Sequence, residues 1–117
     1  MFSPELHRLS ELESQICTYQ GCACQTTWLE EYLDLGLNIA SNKPEPWQEG
    51  WMQRLFNTIC RAVNNPAASM AWRNQCVDYL YQPFFVLVQM YRQHPQKSCQ
   101  LCELLKQYNN CSMSALA

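Results

Sequence analysis

The sequence contains few glycines and little charge. Only three of its 117 residues are glycine, and charged residues make up 15% of the chain, well below the roughly 25% of an ordinary domain. Hydrophobic residues account for 48%, a fraction that excludes a disordered chain. Because charge is scarce, neutral polar and apolar side chains must cover much of the surface, and such a surface favours association with a partner or a second copy.

Long apolar runs are also missing. No stretch approaches the roughly 18 apolar residues of a membrane-spanning helix, and the densest run, residues 84–88, is typical of a buried segment. The first residues contain neither the basic nor the apolar part of a secretory signal. We therefore expect a cytoplasmic protein that does not enter a membrane.

The few charges are distributed unevenly. Residues 1–49 hold eight acids and two bases, a net charge of −6, whereas residues 50–117 hold two acids and six bases, a net charge of +4. Two such halves would complement each other within one fold, and the basic half would alternatively suit an acidic partner. Six bases over this length are too few to indicate nucleic-acid binding.

Apolar residues repeat at helical spacing throughout the chain, and no run alternates in the manner of a strand. Ser3 and Pro4 begin a helix that we expect to reach Tyr19. Further helices are predicted from about residues 27, 46, 66 and 98, the third of these capped by residues 64–66. Pro83 is expected to break or kink this capped helix and to start a separate segment that ends near Gln93.

These patterns predict an all-α fold. We expect a compact bundle of five or six short helices that forms a single domain over residues 1–117, with residues 109–117 as a frayed tail.

Eight cysteines admit several interpretations. Cys22 and Cys24 form one close pair, and Cys99 and Cys102 form another, so the four together predict a possible zinc site with tetrahedral sulfur ligands. The pairs lie about 75 residues apart in the chain, so the fold must bring two helix ends together for this site to form. A zinc-stabilised regulatory module is therefore one hypothesis.

Other interpretations of the cysteines compete with zinc. Cys60 and Cys76 lie on apolar helical faces, which indicates inert packing. An even number of cysteines also suits a secreted helical ligand with four disulfides, although no signal sequence supports it. A redox role for Cys99 at a helix start is the weakest hypothesis, because a redox Cys-x-x-Cys pair normally follows a strand.

Signatures of catalysis are absent from the sequence. There are only two histidines, neither at motif spacing from a nucleophile, and no glycine-rich phosphate loop occurs. We expect no enzymatic activity and no cofactor, with zinc as the alternative.

Aromatic residues are the strongest indication of a binding role, because they supply much of the energy of protein interfaces. We predict a non-catalytic interaction module: an adaptor, a secretion-type chaperone or a small regulatory subunit. Its partner is another protein, or a second copy in a homo-oligomer, and it binds in an apolar, aromatic-rich groove. The predicted partner-binding residues are Trp47, Trp51, Phe84, Phe85, Met90 and Tyr91.

Overall fold

The computed structural model describes residues 3–116 and contains, within them, five α-helices and one short 3-10 turn but no strand. The predicted all-α bundle is confirmed. Residues 1, 2 and 117, at the ends of the predicted domain, lie outside the described residues. The elements are α1 (Pro4–Thr18), α2 (Thr26–Ser41), α3 (Glu45–Val63), α4 (Met70–Arg92), the turn η1 (Pro95–Lys97) and α5 (Ser98–Leu116).

The third helix, α3, is the centre of the bundle and contacts all four other α-helices. The molecule is flat, with extents of 41 × 38 × 17 Å, so most helices keep one face toward solvent. The α3 side chains that form the middle of the core recur every three or four positions, as expected for a helix with a wide buried face. They are Met52, Leu55, Phe56, Ile59, Ala62 and Val63.

Serine caps begin two of the helices. Ser3 Oγ accepts a hydrogen bond from the Leu6 amide at 3.4 Å, and Ser69 Oγ accepts one from the Trp72 amide at 3.2 Å. These bonds satisfy amides that have no partner in the first turn of a helix. The predicted bounds of α1 agree with the structure to within one residue.

Pro83 lies inside α4, which runs unbroken from Met70 to Arg92. The prediction of a separate helix that starts at Pro83 and ends near Gln93 is therefore wrong. Proline removes one backbone hydrogen bond from a helix, but α4 packs more extensively against α3 than any other two helices pack together, and the Pro83 ring is buried. This packing offsets the lost bond, and residues 3–116 form five α-helices, the smaller of the two predicted numbers.

The last helix continues well past Asn109, where a frayed tail was expected to begin. Arg73 explains the difference, because its guanidinium donates to the Val63 carbonyl at 2.5 Å and to the carbonyl and hydroxyl of Ser114 at 3.0 Å each. It thereby ties the end of α5 to the end of α3. Cys111 and Ala115 are buried there, so the helix keeps its packing through Ala115.

A polar network joins α1, α2 and α3. The carboxylate of Glu13 accepts two hydrogen bonds from Arg54, at 2.7 and 2.8 Å, one from the Tyr32 hydroxyl at 2.8 Å, and a longer one from Thr58 at 3.4 Å. Burial disfavours ionisation of Glu13, but the bonds from Arg54 and Tyr32 outweigh it and hold the pKa of Glu13 below its usual value. The ionised carboxylate therefore stabilises the contact between these three helices.

The stability of the fold should depend on pH through Glu13. Because the folded-state pKa of Glu13 is lowered, its contribution is complete above the ordinary glutamate value and is lost as pH falls through the folded pKa. Glu13→Gln should lower the free energy of unfolding at pH 7 by about 1–3 kcal/mol. Below about pH 4.5, the free energy of unfolding of the variant should fall less steeply with pH than that of the native chain. Urea unfolding between pH 3 and 7 measures both effects.

The matched control for Glu13 is Glu31→Gln. Glu31 also accepts two hydrogen bonds from an arginine, Arg8, but 44% of its side chain is exposed, against 15% for Glu13. We expect a smaller loss of stability from the control, because solvent screens exposed ion pairs. Equal losses in the two variants would contradict the role assigned to the network.

Candidate interaction surface

Large apolar side chains that remain exposed identify the candidate interaction surfaces. Tyr81 and Phe85 on α4 are 51% and 45% exposed, and Leu105 on α5 is 45% exposed. The others are Trp47 and Leu6, Leu37, Met70 and Met113. Tyr81 and Phe85 are distinguished because they contact each other and belong to a larger group of stacked rings.

That group links α4 to α5. The rings of Phe84 and Tyr108 stack with centroids 4.0 Å apart and planes 13° apart, and those of Tyr81 and Phe85 stack at 5.6 Å and 29°. Tyr81 also contacts Phe84, at 6.4 Å. Leu105 lies one helical turn before Tyr108. We refer to Tyr81, Phe84, Phe85, Leu105 and Tyr108 as the aromatic face.

Charged residues lie at both ends of the aromatic face on α4. Asp78 precedes Phe85 by seven residues and Arg92 follows it by seven, so all three lie within a narrow angular range of the helix surface. Both charged side chains are exposed, and neither forms an ion pair with any residue in the range 3–116. The exposed side of α4 therefore carries a negative charge near its start, aromatic rings in the middle and a positive charge at its end.

Of the predicted partner-binding residues on α4, Phe84 and Phe85 belong to the aromatic face, whereas Met90 is half-buried outside it. Tyr91 is only 3% exposed, and its hydroxyl accepts a hydrogen bond from Gln53 at 2.7 Å and donates one to Glu49 at 3.2 Å. Burial raises the pKa of Tyr91. Tyr91 therefore fastens α4 to α3 and is not available to a partner.

Trp47 and Trp51 form a different surface, at the start of α3. Trp47 is 65% exposed, whereas Trp51 is half-buried beneath the guanidinium of Arg54, which lies 5.2 Å from the ring centroid. Arg54 in turn binds Glu13 on α1. Trp47 and Trp51 line one small cavity with Arg54, whereas Phe84 stacks on Tyr108 of α5. The six predicted residues therefore do not line a single groove.

The structure does not bring the predicted zinc ligands together. Cys22 and Cys24 are exposed in the connection between α1 and α2, and Cys99 and Cys102 are exposed in the first turns of α5. Nowhere in the range 3–116 do three His, Cys, Asp or Glu side chains form a group that could hold a metal ion. Among the residues that the structure describes, the four predicted ligands therefore do not form one metal-binding group.

A groove separates α3 from α5 on one side of the bundle. It has a volume of about 480 Å³ and a buried apolar floor of Phe56, Leu87 and Leu104. Its rims carry mostly neutral polar side chains: Gln53, Asn57, Gln100, Glu103 and Gln107. A smaller cavity of about 260 Å³ continues from it and shares Phe56, Asn57 and Gln107.

Sequence reasoning missed Tyr81 and the charges at positions 78 and 92. Helical spacing in the sequence could have identified them, because Tyr81 precedes Phe85 by four residues and the two charges lie two helical turns before and after Phe85. The predicted break at Pro83 divided these residues between two elements and concealed their common face. Leu105 and Tyr108 required knowledge of which helix packs beside α4.

Comparison with known proteins gives no guide to the role of these surfaces, because the chain matches no protein-family model, no curated protein and no solved structure. Within residues 3–116, every helix is too short or too polar to cross a bilayer.

Proposed function

We propose that this chain is a non-catalytic protein–protein interaction module that pairs with a second copy of itself through the aromatic face. The observation that carries the proposal is the exposed stack of Tyr81 and Phe85. It lies between Asp78 and Arg92, neither of which forms an ion pair within residues 3–116. A contiguous exposed cluster of aromatic side chains marks a protein–protein interaction site, and aromatic residues supply much of the binding energy at such sites.

The order of charges on α4 selects a second copy as the partner. If two α4 helices pack antiparallel with Phe85 opposite Phe85, each Asp78 faces the Arg92 of the other chain, because both lie about 10.5 Å along the helix from Phe85. Tyr81 then faces Gln89 of the other chain. A two-fold pair thus forms two ion pairs around an aromatic centre, as an isologous interface requires.

The energetic contributions differ between centre and ends. Burial of the exposed parts of Tyr81, Phe85 and Leu105 removes apolar area from water and supplies most of the affinity. The ion pairs at the rim contribute less energy but fix the antiparallel register, since a parallel arrangement would place like charges together. The low charge of the chain adds little electrostatic repulsion that would oppose pairing.

Light scattering after size exclusion, over a hundredfold range of protein concentration, tests the proposal. The mass should rise toward that of two chains as concentration increases. Phe85→Glu should shift the transition to at least tenfold higher concentration, because it places two like charges at the centre of the pair. Leu6→Glu is the control, since Leu6 is similarly exposed but lies on α1, and it should leave the transition unchanged.

Charge reversal tests the identity and register of the partner. Asp78→Arg and Arg92→Asp should each weaken pairing severalfold, and the variant that carries both substitutions should recover it. A single-chain mass at every concentration would reject the proposal. Failure of the double variant to recover pairing would reject the antiparallel arrangement, and would show that α4 meets a different partner or a different register.

A further inference from the structure

A second observation, independent of the aromatic face, concerns the groove between α3 and α5 and the smaller cavity that continues from it. Exposed side-chain amides border both. Three belong to α3 or its C-cap and three to α5: Gln53, Asn57, Asn64, Gln100, Gln107 and Asn110. Beneath them lies the buried apolar floor of Phe56, Leu87 and Leu104. We refer to these amides and this floor as the amide groove.

The amides of the groove have hydrogen-bonding capacity that the fold does not use. Four of them form no side-chain hydrogen bond with any residue in the range 3–116: Asn57, Gln100, Gln107 and Asn110. Gln53 and Asn64 donate through their nitrogens to groups of the bundle, and their oxygens accept no bond within the same range. Because a carboxamide carries both donors and an acceptor, each wall of the groove offers both to a molecule lying between them.

Charge is nearly absent from the amide groove. Among the described residues that line it, Glu103 alone is charged at neutral pH. Its side chain is 71% exposed, and the nearest cation, the Lys106 ammonium, lies 3.9 Å away. An anionic ligand would therefore find no cationic donor in the groove and would be repelled by Glu103, whereas a basic group placed near Glu103 would be attracted.

We propose that the amide groove binds an extended, largely uncharged peptide segment that carries one basic side chain. An extended chain exposes its backbone N–H and C=O groups along both edges, so two walls of amides can pair with it whatever its side chains are. A helix satisfies its own backbone groups internally and would leave the amides of the groove unused. The polar groups of the walls therefore select the extended conformation, as main-chain pairing does in other peptide-binding sites.

The length of the amide groove sets the length of the segment. Gln53 and Asn64 mark its two ends on the α3 side, and eleven helical steps of 1.5 Å separate them by about 16 Å. An extended chain advances about 3.3 Å per residue, so about five residues fill this distance. Alternate side chains of the segment point toward the floor, where apolar groups fit best.

The amide groove and the aromatic face lie on opposite sides of α4. Leu87 of the floor follows Phe85 by two residues, which places the two side chains about 200° apart around the helix axis. A segment in the groove therefore leaves the aromatic face open. Phe85→Glu should disrupt self-pairing without changing peptide binding, so the two proposals can fail separately.

The test titrates the isotope-labelled full chain with the peptide acetyl-Val-Lys-Leu-Thr-Val-amide and follows the backbone and side-chain amide signals by NMR. The side-chain amide signals of Asn57, Gln100 and Gln107 should shift and reach saturation together. Asn109 is the internal control, because it is exposed on α5 but does not line the groove, and its signals should not move. The proposal is rejected if the groove signals show no saturable shift.

Backbone recognition is tested by the same peptide methylated at two of its backbone nitrogens, which keeps the side chains but loses donors. It should bind at least tenfold more weakly, because several hydrogen bonds are lost at once. Equal binding of the methylated peptide would show that the groove reads apolar side chains alone, and would overturn the proposal.

Variants of the chain test the walls and the charge separately. Asn57→Leu combined with Gln107→Leu should weaken binding severalfold, whereas Asn109→Leu should leave it unchanged, with circular dichroism monitoring the fold of each. Glu103→Lys should weaken binding of the lysine peptide and strengthen binding of a peptide with glutamate in its place. Tighter binding by the double leucine variant would contradict the role of the amides, and an unchanged peptide preference in Glu103→Lys would contradict that of the charge.

Discussion

Replacement of Trp72 by alanine should lower the free energy of unfolding by about 3–5 kcal/mol, as is typical for a fully buried tryptophan. Trp72 has no exposed surface, and its ring meets those of Tyr19 and Trp28 edge-on, with centroids 5.1 and 6.3 Å away. Its indole nitrogen donates to the Ile16 carbonyl at 3.3 Å. This one side chain therefore holds the end of α1, the start of α2 and the start of α4 together.

Two further variants separate the causes of that loss. Trp72→Phe keeps an aromatic ring but removes the hydrogen bond and part of the volume, so it should cost less than the alanine variant. Trp47→Ala should change stability by less than about 0.5 kcal/mol, because Trp47 is 65% exposed. Guanidinium unfolding followed by circular dichroism measures all three, and an equal loss at positions 47 and 72 would contradict the structure.

The second large effect is expected at Gly36, where α2 passes close to α3. A β-carbon built on Gly36 would lie 2.5 Å from a terminal methyl group of Leu55, which is itself fully buried. Gly36→Val should therefore destabilise the fold by about 1–3 kcal/mol, since overpacking forces neighbouring side chains out of their preferred positions. The gain in helix propensity over glycine, roughly 0.4 kcal/mol, is too small to compensate.

Gly50 provides the matched control for this substitution. It also lies within a helix, α3, but a β-carbon there would meet no atom within 4 Å. Gly50→Val should leave stability unchanged or raise it by a few tenths of a kcal/mol. Thermal unfolding of the two variants should thus give shifts of clearly different size. A destabilising shift in the Gly50 variant comparable to that of Gly36→Val would argue against close packing as the cause.

Much of the fold follows from local patterns in the sequence. The start of α1 is specified by Ser3 and Pro4, and the core face of α3 is specified by apolar residues every three or four positions. Both signals act over a few residues, where propensity and periodicity decide the structure. This is why the class of the fold and the positions of most helices could be predicted.

Where prediction failed, contacts distant in sequence overrode a local rule. Pro83 would end an isolated helix, yet packing against α3 keeps α4 continuous through it. Residues after Asn109 lack a strong helical pattern, yet Arg73 binds Ser114 from another helix. Neither effect is visible without knowledge of which elements meet.

The candidate sites, like the fold, depend both on local sequence patterns and on contacts between residues that are distant in sequence. Spacing in the sequence drew attention to Cys99 and Cys102, which are three positions apart in the chain, exposed, and not grouped with the other pair. Cys60 and Cys111 are 51 positions apart, and only the packing of α5 beside α3 places both on the wall of one cavity. Residue type and spacing could identify reactive groups, but not their partners.

The unbroken course of α4 through Pro83 also governs how the protein loses its structure. Away from α3, the proline would divide α4 into segments of roughly ten and thirteen residues, and isolated helices of that length are barely populated in water. Fragments that contain α4 without α3 should therefore be unstructured, and local opening of this helix should coincide with global unfolding. We expect the hydrogen-bonded amides in the interior of α4 to share one free energy of opening, close to that of global unfolding.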